Sequence, residues 1–390
     1  MLWSMRSPSV PSAADVRAAA HKILSDSWRP ADGFCPPNAR VYPHQWLWDS
    51  CFHAIAWCAL GDERGLQELT SCFRAQFASG FVPHMRYLEP NTLRGPLEDR
   101  SSYTQPPIYA HAARVMAQAG FSVDETLVSA VTRGLDWLWS NRMSDDGLLV
   151  IVHPWESGSD DSPRWDSWVK RADYRHADYS EWDGGLVPQT VFSDEGAAVW
   201  SHAFVAIPAA FNAFAAHAAL ELARLTGDSR WTARGEQLGD AMDQHLWDEG
   251  SGLWLDRPVV GGGPSVAIPT LDGVFGTLVT ADVQRAERAL TQLVDPSRFG
   301  APYGLRFLPV DCEEYDANEY WRGPAWPQLN YMAYVAAQRW GATAIAGEIA
   351  AMTMRAAVES GFSEYWNVED GRSLGARPQG WAALAAAMTL

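Results

Sequence analysis

Apolar residues recur at three- and four-residue intervals along most of this chain, which is the spacing of one helix face. The pattern predicts helices over 13–27, 46–60, 66–78, 103–119 and 123–141. It returns at 204–226, 231–246, 281–293, 328–340, 343–360 and 379–390. Between Ser144 and Ser201 it gives way to a long loop region rich in Asp, Trp, Pro and Gly. Alternating strands are scarce; Asp248–Leu255 reads as a turn and short hairpin after a helix. No linker rich in Pro, Ser or Gly divides the chain. These features predict an all-α fold formed by residues 1–390 as a single domain, with 144–201 as a cap-like insertion. Paired helices with long loops at one end fit a closed double ring, an (α/α)6 barrel, with an open helical solenoid as the alternative. Periodicity alone does not distinguish the two.

Composition narrows the function. The chain is 47% hydrophobic, ample for a large core. Its formal net charge of −17 makes it a poor ligand for a nucleic-acid backbone, and no basic tract offsets that. Lysine occurs twice, at Lys22 and Lys170, so a P-loop is absent and a Schiff base has few candidates. The five cysteines, Cys35, Cys51, Cys58, Cys72 and Cys312, form no CxxC pair and suggest neither zinc nor a disulfide framework. The histidines are scattered without metal-ligand spacing, so no metal or organic cofactor is expected. Residues 1–6 lack the apolar core of a signal peptide, and no run reaches membrane-spanning length. A cytoplasmic protein without a membrane or nucleic-acid partner is the expectation. Nothing in the pattern speaks to oligomeric state.

Twenty tryptophans exceed what a core requires, and many lie near carboxylates, Arg or Gln. The densest stretch, Pro154–Asp166, sets Glu156, Asp160, Asp161 and Asp166 among Trp155 and Trp165. Gly158 and Pro163 argue for a loop there. A carboxyl beside large apolar rings loses solvation and its pKa rises, which keeps an acid protonated for donation to a leaving group. Aromatic faces next to carboxylates also suit a sugar: the ring covers C–H groups and the carboxylate accepts from hydroxyls. Three further segments share this character: Tyr42–Asp49, Glu319–Tyr331, and Phe362–Asn367 followed by Gly375–Trp381. Two of them come just before predicted helices, where pocket-lining residues of a helical barrel sit.

Four motifs in this order resemble the family 63 glycoside hydrolases and, more loosely, the family 37 trehalases. They are Gln45-Trp-Leu-Trp-Asp49, Trp155-Glu-Ser-Gly-x-Asp160, Tyr320-Trp-Arg-Gly-Pro-x-Trp326 and Phe362-x-Glu364-Tyr. The resemblance runs from about Tyr42 to the C-terminus. It implies an (α/α)6 barrel and hydrolysis of α-glycosides with inversion. Carried over by motif, Asp160 is the expected general acid and Glu364 the general base. Inversion needs those two groups about 6.5–9.5 Å apart, on opposite faces of the scissile bond. Asp161, Glu156 and Glu369 are chemical rivals that only the motif register sets aside.

The same resemblance points to Trp46, Trp48, Asp49, Trp155, Gly158, Arg164, Tyr320, Trp321, Trp326 and Gln379 as the sugar subsite, with Tyr42 and Gln105 as further candidates. Trp46 and Trp48 cannot share a helix face, so one of them is free to be core. The chain's length is similar to compact bacterial members that hydrolyse glucosylglycerate or mannosylglycerate. The implied substrate is a small glucoside or mannoside entering a closed pocket from its end. The stretch from Lys170 to Trp200 departs from the family pattern and leaves the leaving group open. Arg171 and Arg175 could bind a carboxylate there, or pair with Asp173 and Asp178 at the surface. Two other classes use similar scaffolds. An epimerase would need a facing His pair, and a non-catalytic sugar binder would not need both carboxylate motifs.

Overall fold

The computed structural model describes residues 10–169 and 176–389. Ten α-helices build the body: α1 (Ala13–Ser27), α2 (Leu47–Ala59), α3 (Arg64–Ser71), α4 (Tyr109–Gln118), α5 (Glu125–Asn141), α6 (Ala209–Thr226), α7 (Ser229–His245), α8 (Val283–Thr291), α9 (Pro327–Arg339) and α10 (Thr343–Glu359). Two 3-10 helices, Leu271–Leu278 and Gly380–Met388, complete it.

Burial sorts these elements into two layers. In α2 every residue from Leu47 to Cys58 is buried, and all eight residues of Leu271–Leu278 are buried. Helices apolar all round belong inside. By contrast α1 buries Val16, Ala20 and Leu24, one stripe at four-residue spacing, and turns its other faces to solvent. The inner elements pack in sequence: α2 on α4, α4 on α6, α6 on Leu271–Leu278, that helix on α9, α9 on Gly380–Met388, and Gly380–Met388 back on α2. The ring closes, and α1, α3, α5, α7, α8 and α10 pack outside it. This is the (α/α)6 barrel rather than the open solenoid.

The sheets are two-stranded antiparallel ribbons in the loops. Trp247–Asp248 pairs with Leu253–Trp254, at the hairpin expected over Asp248–Leu255. The helix predicted over 103–119 starts only at Tyr109, because Pro106 and Pro107 hold the preceding backbone out of the helix. The inner helix Leu271–Leu278 was not predicted. Glycine is a poor helix former, yet Gly273 and Gly276 are small because the Trp254 backbone and ring pack against them.

Candidate active site

The loops entering the inner helices meet around one cavity of about 640 Å³. Trp46 is the N-cap of α2, Trp326 the N-cap of α9, and Gln379 the N-cap of Gly380–Met388. The site therefore lies at the N-terminal end of the inner ring. Tyr42, Trp46, Trp48, Asp49, Gln105, Trp155, Gly158, Asp160, Tyr320, Trp321, Glu364 and Gln379 all line it.

Asp160 sits on a loop shaped by Gly158, whose φ of 79° is left-handed. A Cβ there would lie 2.4 Å from the Trp48 ring, so the loop can approach Trp48 only with glycine. Tyr179 Oη donates to Asp160 Oδ2 at 2.9 Å, and Trp321 Nε1 donates to Oδ1 at 2.9 Å. Burial raises the Asp160 carboxyl above its ordinary value, with nearby Asp161 adding to the shift; the Tyr179 donor opposes it.

Glu364 follows a turn in which Phe362 takes a positive φ of 56°, unusual for a residue with a side chain. Its Oε2 accepts the Ala376 N–H at 2.8 Å, and its Oε1 accepts the Tyr42 hydroxyl at 3.0 Å. Gly375 has a φ of 66°, and a Cβ there would stand 2.5 Å from Glu364 Oε2. Tyr42 is presented by a turn closed on Asn38, whose side chain reaches the Pro378 carbonyl and ties the two segments together. Burial pushes the Glu364 carboxyl up to about 7; the two donors oppose this and Asp160 adds to it. Asp49, in the first turn of α2, is likewise pushed up to about 7, mainly by burial. Three carboxyl groups therefore face one cavity, each disposed to hold a proton longer than it would in water.

Trp46 and Trp48 both line the cavity, although two residues apart on a helix could not share a face. Trp46 belongs to a two-residue strand paired with Met85 and only caps the helix, so helix geometry does not govern it. Gln105 lines the wall and also accepts the Trp48 N–H at 3.3 Å, supplying from another loop the cap that α2 lacks. Trp326 lies behind the wall, stacked on Trp321 at 3.7 Å between centroids. Gln379 Oε1 is buried without a hydrogen-bond partner, a ready acceptor for a hydroxyl.

Arg164 does not reach the cavity. It is buried, donates to Asp256 and Asp272 at 2.6 Å each, and holds Ser159 beside the acidic loop. The rival carboxylates are engaged elsewhere. Glu156 is fully buried in a two-pronged pair with Arg142. Asp161 bonds His176, and Glu369 is exposed on Arg306. Arg171 and Arg175 lie outside the described residues. Sequence reasoning missed Tyr179, Arg94, His176, Tyr365 and Trp381 on the cavity wall. Tyr179 and His176 belong to the departing 170–200 stretch, where no motif marked them. Trp381 was quoted within its segment but had no assigned contact, and its ring meets Trp48 edge-on.

His111 and His217 do form a facing pair, 3.1 Å apart, but they are buried between inner helices and absent from the cavity wall. Among the described residues no group of three or more His, Cys, Asp or Glu side chains could hold a metal ion, and no helix is long and apolar enough to cross a membrane.

Residues 42–382 match the family model of the mannosylglycerate hydrolase MGH1-like glycoside hydrolase domain. The mannosylglycerate hydrolase of Rubrobacter radiotolerans is 27% identical, covering 96% of this chain and 97% of its own length. The glucosylglycerate hydrolase of Mycolicibacterium hassiacum is also 27% identical, over 88% of this chain and 91% of its own. A crystal structure of the family 63 mannosylglycerate hydrolase from Thermus thermophilus, in complex with Tris and D-glycerate, superposes with a TM-score of 0.79. It is 27% identical and covers 96% of this chain and 99% of that one. The order of motifs, the closed ring and a match spanning nearly the whole barrel agree: this chain belongs to the MGH1-like glycoside hydrolases of family 63 and is an O-glycosyl hydrolase.

Proposed function

We propose that this enzyme removes one sugar from a small α-glucoside or α-mannoside with inversion, and that the leaving group is a small acid of the glycerate type. Asp160 is the general acid and Glu364 the general base. The observation that carries this reading is a pair of carboxyl groups with raised proton affinity, held on different loops across one tryptophan-walled cavity. Asp160 delivers its proton to the glycosidic oxygen. Glu364, oriented by Tyr42 and the Ala376 N–H, takes the proton of a water attacking the opposite face. Asp49 and Gln379 accept from sugar hydroxyls, while Trp46, Trp48 and Trp321 exclude water. A cavity of this volume holds about one disaccharide-sized molecule. We assign the described parts of 144–201, residues 144–169 and 176–201, as the cover of its mouth. The substrate class is supported by the names of the relatives, which act on mannosylglycerate and glucosylglycerate.

The test is a comparison of kcat/KM on mannosylglycerate, glucosylglycerate, glucosylglycerol and short α-gluco-oligosaccharides. Proton NMR of the first-formed product should show the β anomer. Initial release of the α anomer removes inversion. A preference for the neutral glycosides removes the acidic leaving group but keeps the glycosidase.

The pH profile has a defined sign. Glu364 must be ionised to act as base, and its raised pKa moves the acidic limb of kcat/KM up from the usual 4.5 toward about 7. Activity therefore falls as pH drops below about 7. Asp160 is also raised and must stay protonated, so activity falls again once it ionises and the profile is bell-shaped. An acidic limb at the ordinary glutamate value would contradict this.

A further inference from the structure

Arg94 lines the cavity and is the sole arginine or lysine among the described residues of its wall. Its guanidinium lies over Trp155 at 4.8 Å and over Trp46 at 5.6 Å from the ring centroids. Its Nε is buried without an acceptor, and no carboxylate among the described residues pairs with the group. Arg142 and Arg164 differ in their carboxylates: both are fully buried and held by them at 2.6–2.7 Å, although Arg142 Nε also lacks an acceptor. The guanidinium is half-buried, and a donor nitrogen enclosed without an acceptor costs free energy. Such a group is tolerated where a ligand completes it.

Its position along the cavity follows from Asp183. That carboxylate accepts the Trp155 indole at 2.6 Å, and Trp155, beneath the guanidinium, opens the loop that carries Asp160. Arg94 therefore stands on the Asp160 side of the site. When Asp160 protonates the glycosidic oxygen, the leaving group departs on that side. Guanidinium is the side chain suited to grip a carboxylate with two parallel hydrogen bonds. His44 lines the wall beside it. Its Nδ1 accepts the Leu88 N–H, which leaves Nε2–H as a donor on a neutral ring. In a chain of net charge −17, with three carboxyl groups on the cavity, an anion needs such a local cation.

We propose that Arg94 is the specificity-determining cation of this enzyme: held between Trp46 and Trp155, it binds the carboxylate of an acidic leaving group. This rests on the glycosidase reading with Asp160 as the acid. The competing role is a brace that only spaces the two indoles.

Two measurements on Arg94→Gln and Arg94→Lys separate these. Steady-state kinetics compare mannosylglycerate and glucosylglycerate with glucosylglycerol. Calorimetry compares D-glycerate with glycerol. Arg94→Gln should raise KM for the acidic glycosides by about 10–100-fold, the loss expected for a charged hydrogen-bonding partner. It should change kcat less and leave glucosylglycerol within about twofold. Arg94→Lys should recover part of the loss. D-glycerate binding should weaken in parallel and, in the wild type, fall with added salt. Equal losses on acidic and neutral glycosides, or undiminished D-glycerate binding by Arg94→Gln, overturn the proposal in favour of the brace. If the wild type binds D-glycerate through Arg94 yet cleaves neither glycerate glycoside, the substrate reading fails and the Arg94 assignment stands.

Discussion

Asp160→Asn and Glu364→Gln should each lower turnover of a glycerate glycoside by about 10²–10⁴-fold while leaving the thermal unfolding curve near that of the wild type. Both replacements keep the shape of the side chain. Asparagine can still accept from Tyr179 or Trp321, and glutamine can still meet Tyr42 and the Ala376 N–H. On the proposed roles, what is lost is proton transfer. The two variants should differ in one respect. An α-glycosyl fluoride leaves without protonation, so Asp160→Asn should recover much of its activity on that substrate. Glu364→Gln should not, because the attacking water still needs a base. Asp161→Asn should cost less than either, since Asp161 is turned to His176 rather than to the cavity. Near-normal turnover by Asp160→Asn on a glycerate glycoside, combined with collapse in Asp161→Asn, would mean that the neighbouring carboxylate is the acid.

Removing a different carboxylate of the same motif should cost stability. Glu156→Ala should lower the unfolding free energy by about 3–5 kcal/mol, the usual consequence of stranding one member of a buried ion pair. Glu156 is fully buried and accepts Arg142 Nη1 and Nη2 at 2.7 Å each, the Val152 N–H at 2.8 Å and the Thr104 N–H at 3.2 Å. Arg142, just beyond α5, donates in addition to the Ala198 carbonyl at 2.7 Å. One carboxylate thus joins the end of an outer helix, the Thr104 loop, the acidic loop and the Ala198–Ser201 strand. Urea unfolding of Glu156→Ala, Arg142→Met and the double Arg142→Met/Glu156→Leu variant measures the coupling. The double variant should be more stable than Glu156→Ala, because it strands no charge and fills the volume. A Glu156→Ala protein within about 1 kcal/mol of wild type would show that water or relaxation satisfies Arg142.

These two glutamate and aspartate positions lie four residues apart in one motif, and residue type alone does not separate their roles. Glu156 faces inward onto an arginine, and Asp160 faces the cavity, because the left-handed turn at Gly158 redirects the chain between them. Arg164 illustrates the same limit. The family resemblance implies a ligand for substrate there, yet Asp256 and Asp272, about a hundred positions away, converge on it and turn it into a brace. Arg94 is the converse: it lies in no recognised motif, and only the approach of two indoles from separate loops marks it out.

By itself the sequence determined the alternation of helices, because apolar spacing follows from which face each helix buries. It also marked the aromatic-carboxylate segments, because their local composition has little use in a core. Apolar spacing left closure open and tertiary structure decided it, since closure depends on Gly380–Met388 meeting α2 across the length of the chain. It alone decided that Leu271–Leu278 is an inner helix, since two glycines weaken the local helical signal and Trp254 fills the space above them. It decided, too, which of several equivalent carboxylates and arginines face the cavity. Charge, size and hydrogen-bonding capacity belong to the residue; burial, partner and pKa belong to the place where the fold sets it.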